Sequence, residues 1–386
     1  MSSEVYFDNN ATTPCLDAVI AAVSDALGTN FGNPSSAHCR GYMRQEALGA
    51  ARAFVEDVLG APAGSAIFTS GGTEANNLVV LGVLRQAQAR TPEPIRLITS
   101  PVEHSSVTRV ADALVTQGVT VDYLPVGSDG VVSTDELELL LARPAALVSL
   151  QWANSETGVV QLIDRVAAIC RDAGTPLHCD AAQAVGKLPI DLSTLPIDYL
   201  TFTGHKLHAP PGIGVVIDTA QRLSQSLWYG GDQERGLRPG TQNLAAIIGL
   251  REALEIRSAD LDASVDHLRT LRDRFERLIL QRIPTANVNG LESPRVCNTS
   301  NVCFPGIEGQ ALVAQMSRRG VCCSQTSACT SHVPRPSSAL LAMGLSEEDA
   351  FASVRFSFSV LNTDAEVQAV ADLLSEVYRD LLRLST

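Results

Sequence analysis

The chain has 386 residues, 45% of them apolar, with a formal net charge of −13 and nine cysteines. That length predicts two domains, because single domains usually hold about 100–200 residues. Lys and Arg are spread thinly and form no basic run, which argues against nucleic acid or an anionic membrane as a direct ligand.

No apolar run approaches the ~18 residues needed to span a bilayer, and the opening MSSEVYFDNN lacks the cationic and apolar regions of a signal peptide. None of the cysteines forms a C-x-x-C pair. A disulfide framework and a thiolate zinc site are therefore not expected, no metal is expected, and a cytoplasmic setting is.

In chain order, Val5 to Phe7 reads as an extended piece, followed by a turn through Pro14. Helices are predicted over 16–28, ending at Gly28, and over about 37–59, with the loop NFGNPSS (30–36) between them. A repeating pattern then begins. Strands are predicted at 66–69, 96–99, 119–124, 147–152, 177–179, 199–203 and 215–217, separated by helices over about 73–88, 105–117, 135–141 and 161–173. Strands alternating with helices of this length predict right-handed crossovers, hence an α/β fold with a mainly parallel central sheet and helices on both faces. Two more helices are predicted over 243–257 and 260–283, the second charged and read as a boundary. Beyond it the style changes to strand 301–304, helix 308–318, a polar loop through 322–338, strand 354–358 and a helix from Asp364. The expected division is a large domain over 16–258 and a small α+β domain built from 1–15 and 259–386.

In open α/β sheets, ligands gather at the carboxyl ends of the strands. Gly71-Gly72-Thr73 follows one strand and opens a helix, an arrangement suited to a phosphate, although a turn with a Thr cap has the same pattern. His104 lies just past strand 96–99, where a helix cap is the ordinary role. Asp180 ends strand 177–179, and Lys206 follows strand 199–203 in TFTGHKLHAPPGIG. A lysine there is either a surface residue or a reactive amine, and with Asp180 it would otherwise form a structural ion pair. A lysine, a carboxylate, an anion cup and a ring-stacking side chain are together what pyridoxal phosphate (PLP) requires.

Ten segments carry a resemblance to a known family: DNNATTP (8–14), NPSSAH (33–38), TSGGTEANN (69–77), EHSSV (103–107), ANSETG (153–158), HCDAAQ (178–183), TGHK (203–206), ERGLRPGTQN (234–243), SACTS (327–331) and VRFS (354–357). The sequence resembles the cysteine desulfurases of the NifS/IscS type, within the class V aminotransferase-like PLP enzymes. The resemblance implies the fold type I of PLP-dependent transferases and a homodimer. It implies that Lys206 carries the cofactor, Asp180 faces the pyridine nitrogen, Gln183 bonds the ring hydroxyl and His104 stacks on the ring and moves protons. Gly72 and Thr73 would hold the phosphate beside Thr203 and His205, and Thr241 would reach it from a second subunit. Asn154 and Arg355 would fix the substrate carboxylate. Cys329, in a run of small polar residues, would take sulfur from L-cysteine as a persulfide, leave L-alanine, and pass the sulfur to an acceptor protein.

Three stretches depart from the family pattern: Ala209-Pro210-Pro211 after His208, Phe358-Ser359-Val360 after VRFS, and Gln325-Thr326 ahead of SACTS. They leave the catalytic groups intact and alter the mouth and the acceptor-facing surface. Cys170, Cys297 and Cys303 are expected to be inert core residues, and Cys322 and Cys323 would exchange sulfur only if exposed. Other readings are a selenocysteine or cysteine lyase on the same fold and a non-catalytic dimeric scaffold. Iron–sulfur cluster assembly, tRNA thiolation and DNA phosphorothioation are the pathways such donors serve.

Overall fold

The computed structural model describes residues 4–325 and 335–385. The chain opens with β1 (Val5–Tyr6), α1 (Asp17–Leu27) and α2 (Cys39–Val58). The sheet-building region follows as β2 (Ala66–Thr69), α3 (Gly72–Gln88), β3 (Arg96–Thr99), α4 (Ser105–Val115), β4 (Thr120–Tyr123), α5 (Thr134–Leu141), β5 (Leu147–Gln151), α6 (Ile163–Asp172), β6 (Leu177–Asp180), β7 (Tyr199–Thr203) and β8 (Gly214–Asp218). These strands form one sheet in the order β2-β8-β7-β6-β5-β3-β4.

Alternation along each strand sends neighbouring side chains to opposite faces. Ile67, Leu97, Leu147 and Val216 pack with Leu78 and Val79 of α3 and Val110 and Leu114 of α4. Phe68, Ile98, Val148 and Val215 pack on the other side with Val55 of α2, Val166 of α6 and Ile247 of α7 (Leu244–Ala259). The four central parallel strands, β3, β5, β6 and β7, are buried throughout, as a sheet covered on both faces requires, whereas β4 at the edge is partly exposed.

One strand departs from the expected series. β8 runs antiparallel to both β7 and β2, because residues 204–213 are too few to hold the crossover helix that a parallel return needs. The resulting hairpin keeps Gly204 to Lys206 beside the end of β6.

After α7 come α8 (Leu261–Arg282), β9 (Asn287–Val288), β10 (Thr299–Cys303), α9 (Gly309–Arg318), β11 (Val321–Cys322), β12 (Ser324–Gln325), α10 (Ser338–Ala342), α11 (Glu347–Phe351), β13 (Ser353–Ser357) and α12 (Asp364–Ser385). An antiparallel sheet, β12-β13-β10-β9, shares one hydrophobic core with α8 and α12. Its core is aromatic, with the Phe7 and Phe358 ring centroids 4.7 Å apart and those of Phe275 and Phe356 also 4.7 Å apart. Phe7 comes from the chain's start, and β1 pairs in parallel with β11. The region read from sequence as a polar loop thus begins with a short strand and ends in a capped helix, with Ser337 accepting a bond from the Leu340 amide.

Candidate functional site

The lysine and the carboxylate come to the same end of the sheet because their strands are neighbours. β6 and β7 are parallel, with Asp180 level with Thr201. The chain leaves β7 at Thr203 and turns once through a short 3-10 segment that ends at Lys206. Its ammonium Nζ donates to the backbone carbonyls of Asn10 and, at 2.8 Å, Ala11.

Asp180 is buried and already half satisfied. Its Oδ1 accepts from the Ala182 amide at 3.0 Å and its Oδ2 from Asn76 Nδ2 at 2.7 Å. Asn76 also donates to Ser106 Oγ (2.8 Å) and accepts from the Thr201 hydroxyl. Ser106 then has its own proton to give to His104 Nδ1, 2.8 Å away, which also accepts from the Ser106 amide. With Nδ1 accepting, a neutral His104 carries its proton on Nε2. The ring is open to the cleft but flanked by protein, and this desolvation lowers its pKa. Asp180 opposes that shift and Lys206 reinforces it.

The network continues away from the cleft. Thr201 gives its proton to Asn76, so it accepts from His178 Nε2 at 3.0 Å, and His178 Nδ1 lies 2.8 Å from Ser149 Oγ. Burial holds the pKa of His178 down to about 4.

A second group forms at the start of α3. Gly71 caps that helix without any side-chain cap bond, leaving first-turn N–H groups and the positive end of the helix for an anion. The close approach depends on Gly214, where an added Cβ would lie 2.4 Å from the Gly71 carbonyl carbon. Thr73 is exposed at this end. The Thr203 hydroxyl donates to the Ile213 carbonyl at 3.0 Å, so it reaches an anion only by turning away from that bond. His205 Nδ1 lies 3.2 Å from Thr12 Oγ1, and desolvation together with Lys206 and His104 brings its pKa to about 4.

Gln183 lies buried with Nε2 donating to the Asn10 carbonyl at 3.3 Å. Asn154 uses its carbonyl oxygen to receive the Glu156 and Thr157 amides, each at 2.9 Å, and donates to the Val102 carbonyl at 3.1 Å. One of its N–H groups is left over.

Arg355 on β13 donates through Nη2 to Asp8 (2.7 Å) and through Nη1 to the Ser155 carbonyl (3.2 Å). Its buried Nε has no partner among the described residues. Glu156 accepts from the Ser337 hydroxyl, and burial pushes its carboxyl up to about 7 against the pull of Ser337 and Arg355. Thr241 is exposed, beyond a turn in which Glu234 and Arg235 both take the left-handed backbone conformation.

Cys329 lies outside the described residues. The chain nevertheless leaves for it from the site itself, since Ser324 of β12 pairs with Arg355. Cys170, Cys297 and Cys303 are buried core thiols. Cys323 is also buried, with its pKa pushed up to about 12, and the half-buried Cys322 is raised by desolvation with Glu4 and Asp8 adding to it. Neither is poised as a thiolate.

Sequence reasoning quoted the segments that hold Asn10, Asn76 and Ser106 but assigned those residues no role, and it passed over Lys187. The contacts of Asn10 with Lys206 and Lys187, and of Asn76 with Ser106 and Asp180, join segments far apart in the chain, which spacing alone does not reveal.

The aminotransferase class-V family model matches residues 5–370. A cysteine desulfurase of Nostoc sp. is 40% identical over 383 residues, covering 99% of this chain and 95% of that protein. A solved NifS-like protein superposes with a TM-score of 0.91 at 34% identity, over 98% of this chain and 100% of its own. A structure of SspA in complex with cysteine gives 0.80 at 32% identity, over 93% and 100%. The chain belongs to the aminotransferase class-V family, whose members are PLP-dependent enzymes. Within it, the similarity is to cysteine desulfurases of the NifS type.

The residues present fit that cofactor. Asp180 keeps lone pairs for a ring N–H, the uncapped start of α3 suits a phosphate, and Lys206 supplies the amine.

Proposed function

We propose that this chain removes sulfur from L-cysteine, delivering L-alanine and a persulfide on Cys329 that passes to an acceptor protein. The observation that carries this reading is the pairing of Ser324 with Arg355. It starts the segment that bears Cys329 at the guanidinium suited to the substrate carboxylate, on the lysine's side of the site. A two-point bond from Arg355 needs adjacent N–H groups, and the buried Nε, which has no partner among the described residues, supplies one of them.

When bound, PLP supplies an electron sink that weakens the substrate's Cα–H and C–S bonds. Asp180, held by Asn76 and the Ala182 amide, would receive the ring N–H. Gln183 would address the ring hydroxyl. Gly72, Thr73, Thr203 and His205 would hold the phosphate, with His205 neutral and able to donate. Lys206 takes the Cα proton, and His104, oriented by Ser106, offers its Nε2 proton nearby. The remaining Asn154 N–H turns to the substrate carboxylate. The Cys329 thiolate forms an S–S bond as the substrate's C–S bond breaks. The two electrons of that bond stay with carbon and take up a proton, giving alanine, so no external oxidant is needed.

The reading includes a homodimer in which Thr241 reaches the partner's phosphate site. It is supported by large apolar side chains left exposed on α1 and α2 and nearby, namely Ile20, Leu27, Phe31, Tyr42 and Met43. Residues 16–258 are taken as the cofactor-binding unit, and residues 1–15 with 259–386 as the unit that carries the sulfur-accepting segment. The setting is cytoplasmic; among the described residues no helix is long and apolar enough to cross a membrane.

The test is mass spectrometry of the PLP-loaded protein after L-cysteine treatment. A sulfur adduct is expected on the Cys329 peptide of the wild type, with alanine as co-product. The Cys329→Ala variant should bind PLP and carry no adduct. An adduct that survives in the variant would assign sulfur acceptance to another thiol.

A further inference from the structure

Lys187 is a buried cation that the reaction described above does not use. It sits in the turn after β6, 6% exposed. Its Nζ donates to Gln183 Oε1 at 2.5 Å and to Asn10 Oδ1 at 3.4 Å. Among the described residues no carboxylate pairs with it, so both acceptors are neutral amides. Burying an ammonium without a counter-ion is unfavourable, and a lysine kept in such a place has a task that its charge or its hydrogen bonds perform. The groups that face it are Lys206, Arg257, Arg355 and His208 on the basic side and the Cys297 thiol on the other. Desolvation, opposed by Cys297 and reinforced by the basic neighbours, brings the Lys187 pKa down to about 7.

The geometry constrains Gln183. An amide has one carbonyl oxygen and one NH₂ group, and rotation exchanges what it presents. With Oε1 held by the Lys187 ammonium, which in its charged form only donates, the amide cannot turn its oxygen outward without abandoning that bond. Nε2 therefore faces the Asn10 carbonyl, the same oxygen that receives Lys206.

We propose that Lys187 is a positioning residue of the cofactor site, pinning Gln183 so that its amide offers only N–H groups to the ring oxygen of PLP. This rests on the assignment of Gln183 to the ring hydroxyl made above. A ring oxygen that receives a hydrogen bond is less basic, so the proton it shares with the lysine-bound nitrogen leaves at a lower pH. Lys187 thus tunes the form in which the resting enzyme meets its substrate without touching either.

The test uses the full-length protein and PLP, reading affinity and the pH midpoint of the bound cofactor's visible absorbance change. Lys187→Met should raise that midpoint by about one unit and weaken PLP binding by about tenfold, the loss expected for one charge-assisted hydrogen bond. Gln183→Ala should do the same, and adding Lys187→Met to it should change nothing further. An effect of Lys187→Met that persists in full without the Gln183 amide overturns the proposal, because the lysine then acts by charge alone. So does an unshifted midpoint with unchanged affinity. Should Lys187→Met fail to fold, Gln183→Glu keeps a partner for Lys187 but has no N–H to give. Wild-type midpoint and affinity in that variant would overturn the proposal equally. Failure of the wild type to bind PLP at all would strike the family-level reading instead, so the two failures are distinguishable.

Discussion

At the scale of single residues, the site depends on neutral side chains held in one orientation. His178 gives its Nε2 proton to Thr201, Thr201 bonds Asn76, and Asn76 holds Asp180. A neutral His178 suffices for the first of these links, with Nδ1 left to accept from the Ser149 hydroxyl. In the unfolded chain this imidazole takes up a proton near pH 6.5, whereas in the folded chain burial delays uptake until about 4. The unfolded state thus binds more protons between those values, and stability falls as pH falls through that window. His178→Gln removes the titration. The stability advantage of the wild type over this variant should therefore shrink between pH 6.5 and 4, by at most about 3 kcal/mol in urea unfolding of the apoprotein. An advantage that does not change with pH would show that His178 is not buried as a neutral ring. Arg355→Lys keeps a cation for Asp8 and loses the planar fork. KM for L-cysteine should rise about ten- to a hundredfold, with kcat less affected. A fall in kcat at constant KM would remove Arg355 from carboxylate binding.

At the scale of elements, the turn before α7 is held in a conformation that its sequence does not favour. Glu234 and Arg235 have φ of 50° and 61°, a region that suits glycine. Glu234 nevertheless stays there because its carboxylate accepts from both terminal nitrogens of Arg52, at 2.8 Å each, from the Phe68 amide at 2.9 Å and from Gln242 at 3.1 Å. Burial alone would raise its pKa, yet these bonds, with Arg52 foremost, hold it lower. Glu234→Ala should cost about 2–3 kcal/mol in denaturant unfolding, since it strands part of a nearly buried Arg52 fork and the strand amide. An unchanged unfolding midpoint would mean that the turn needs no such clamp. Here the sequence was informative about some levels and silent about others. The long amphipathic helices and buried strands were legible because their periodicity is local. The reversed direction of β8 was not, although the short 204–213 connection contained the clue. The two-residue strands β9, β11 and β12 have no periodicity to detect. Lys206, Asp180, His104 and Arg355 were singled out by their motifs. The bonds that orient them were not, because Asn76 reaches Asp180 and Asn10 receives Lys206 across the fold, and the short-range bonds of Ser106 to His104 and Lys187 to Gln183 follow no repeating pattern.

At the scale of the whole molecule, a homodimer predicts a sedimenting species of twice the chain mass at micromolar concentration. Replacing two exposed α2 residues, Tyr42→Glu with Met43→Glu, should shift the protein toward monomer with its circular dichroism unchanged, because paired negative charges do not desolvate in an apolar contact. A monomeric wild type would leave Thr241 without a phosphate to reach. Asn10 joins everything else. Its carbonyl receives Lys206 and Gln183, its side chain receives Lys187 and Asn298, and its amide donates to the hydroxyl of Ser357, 347 positions away. A polypeptide emerging from the ribosome therefore displays this asparagine almost at once but must wait for β13 before the asparagine finds its full set of companions. The surroundings of this asparagine are consequently completed only once β13 has been made, and a nascent chain stalled before residue 357 would lack the Ser357 bond to Asn10.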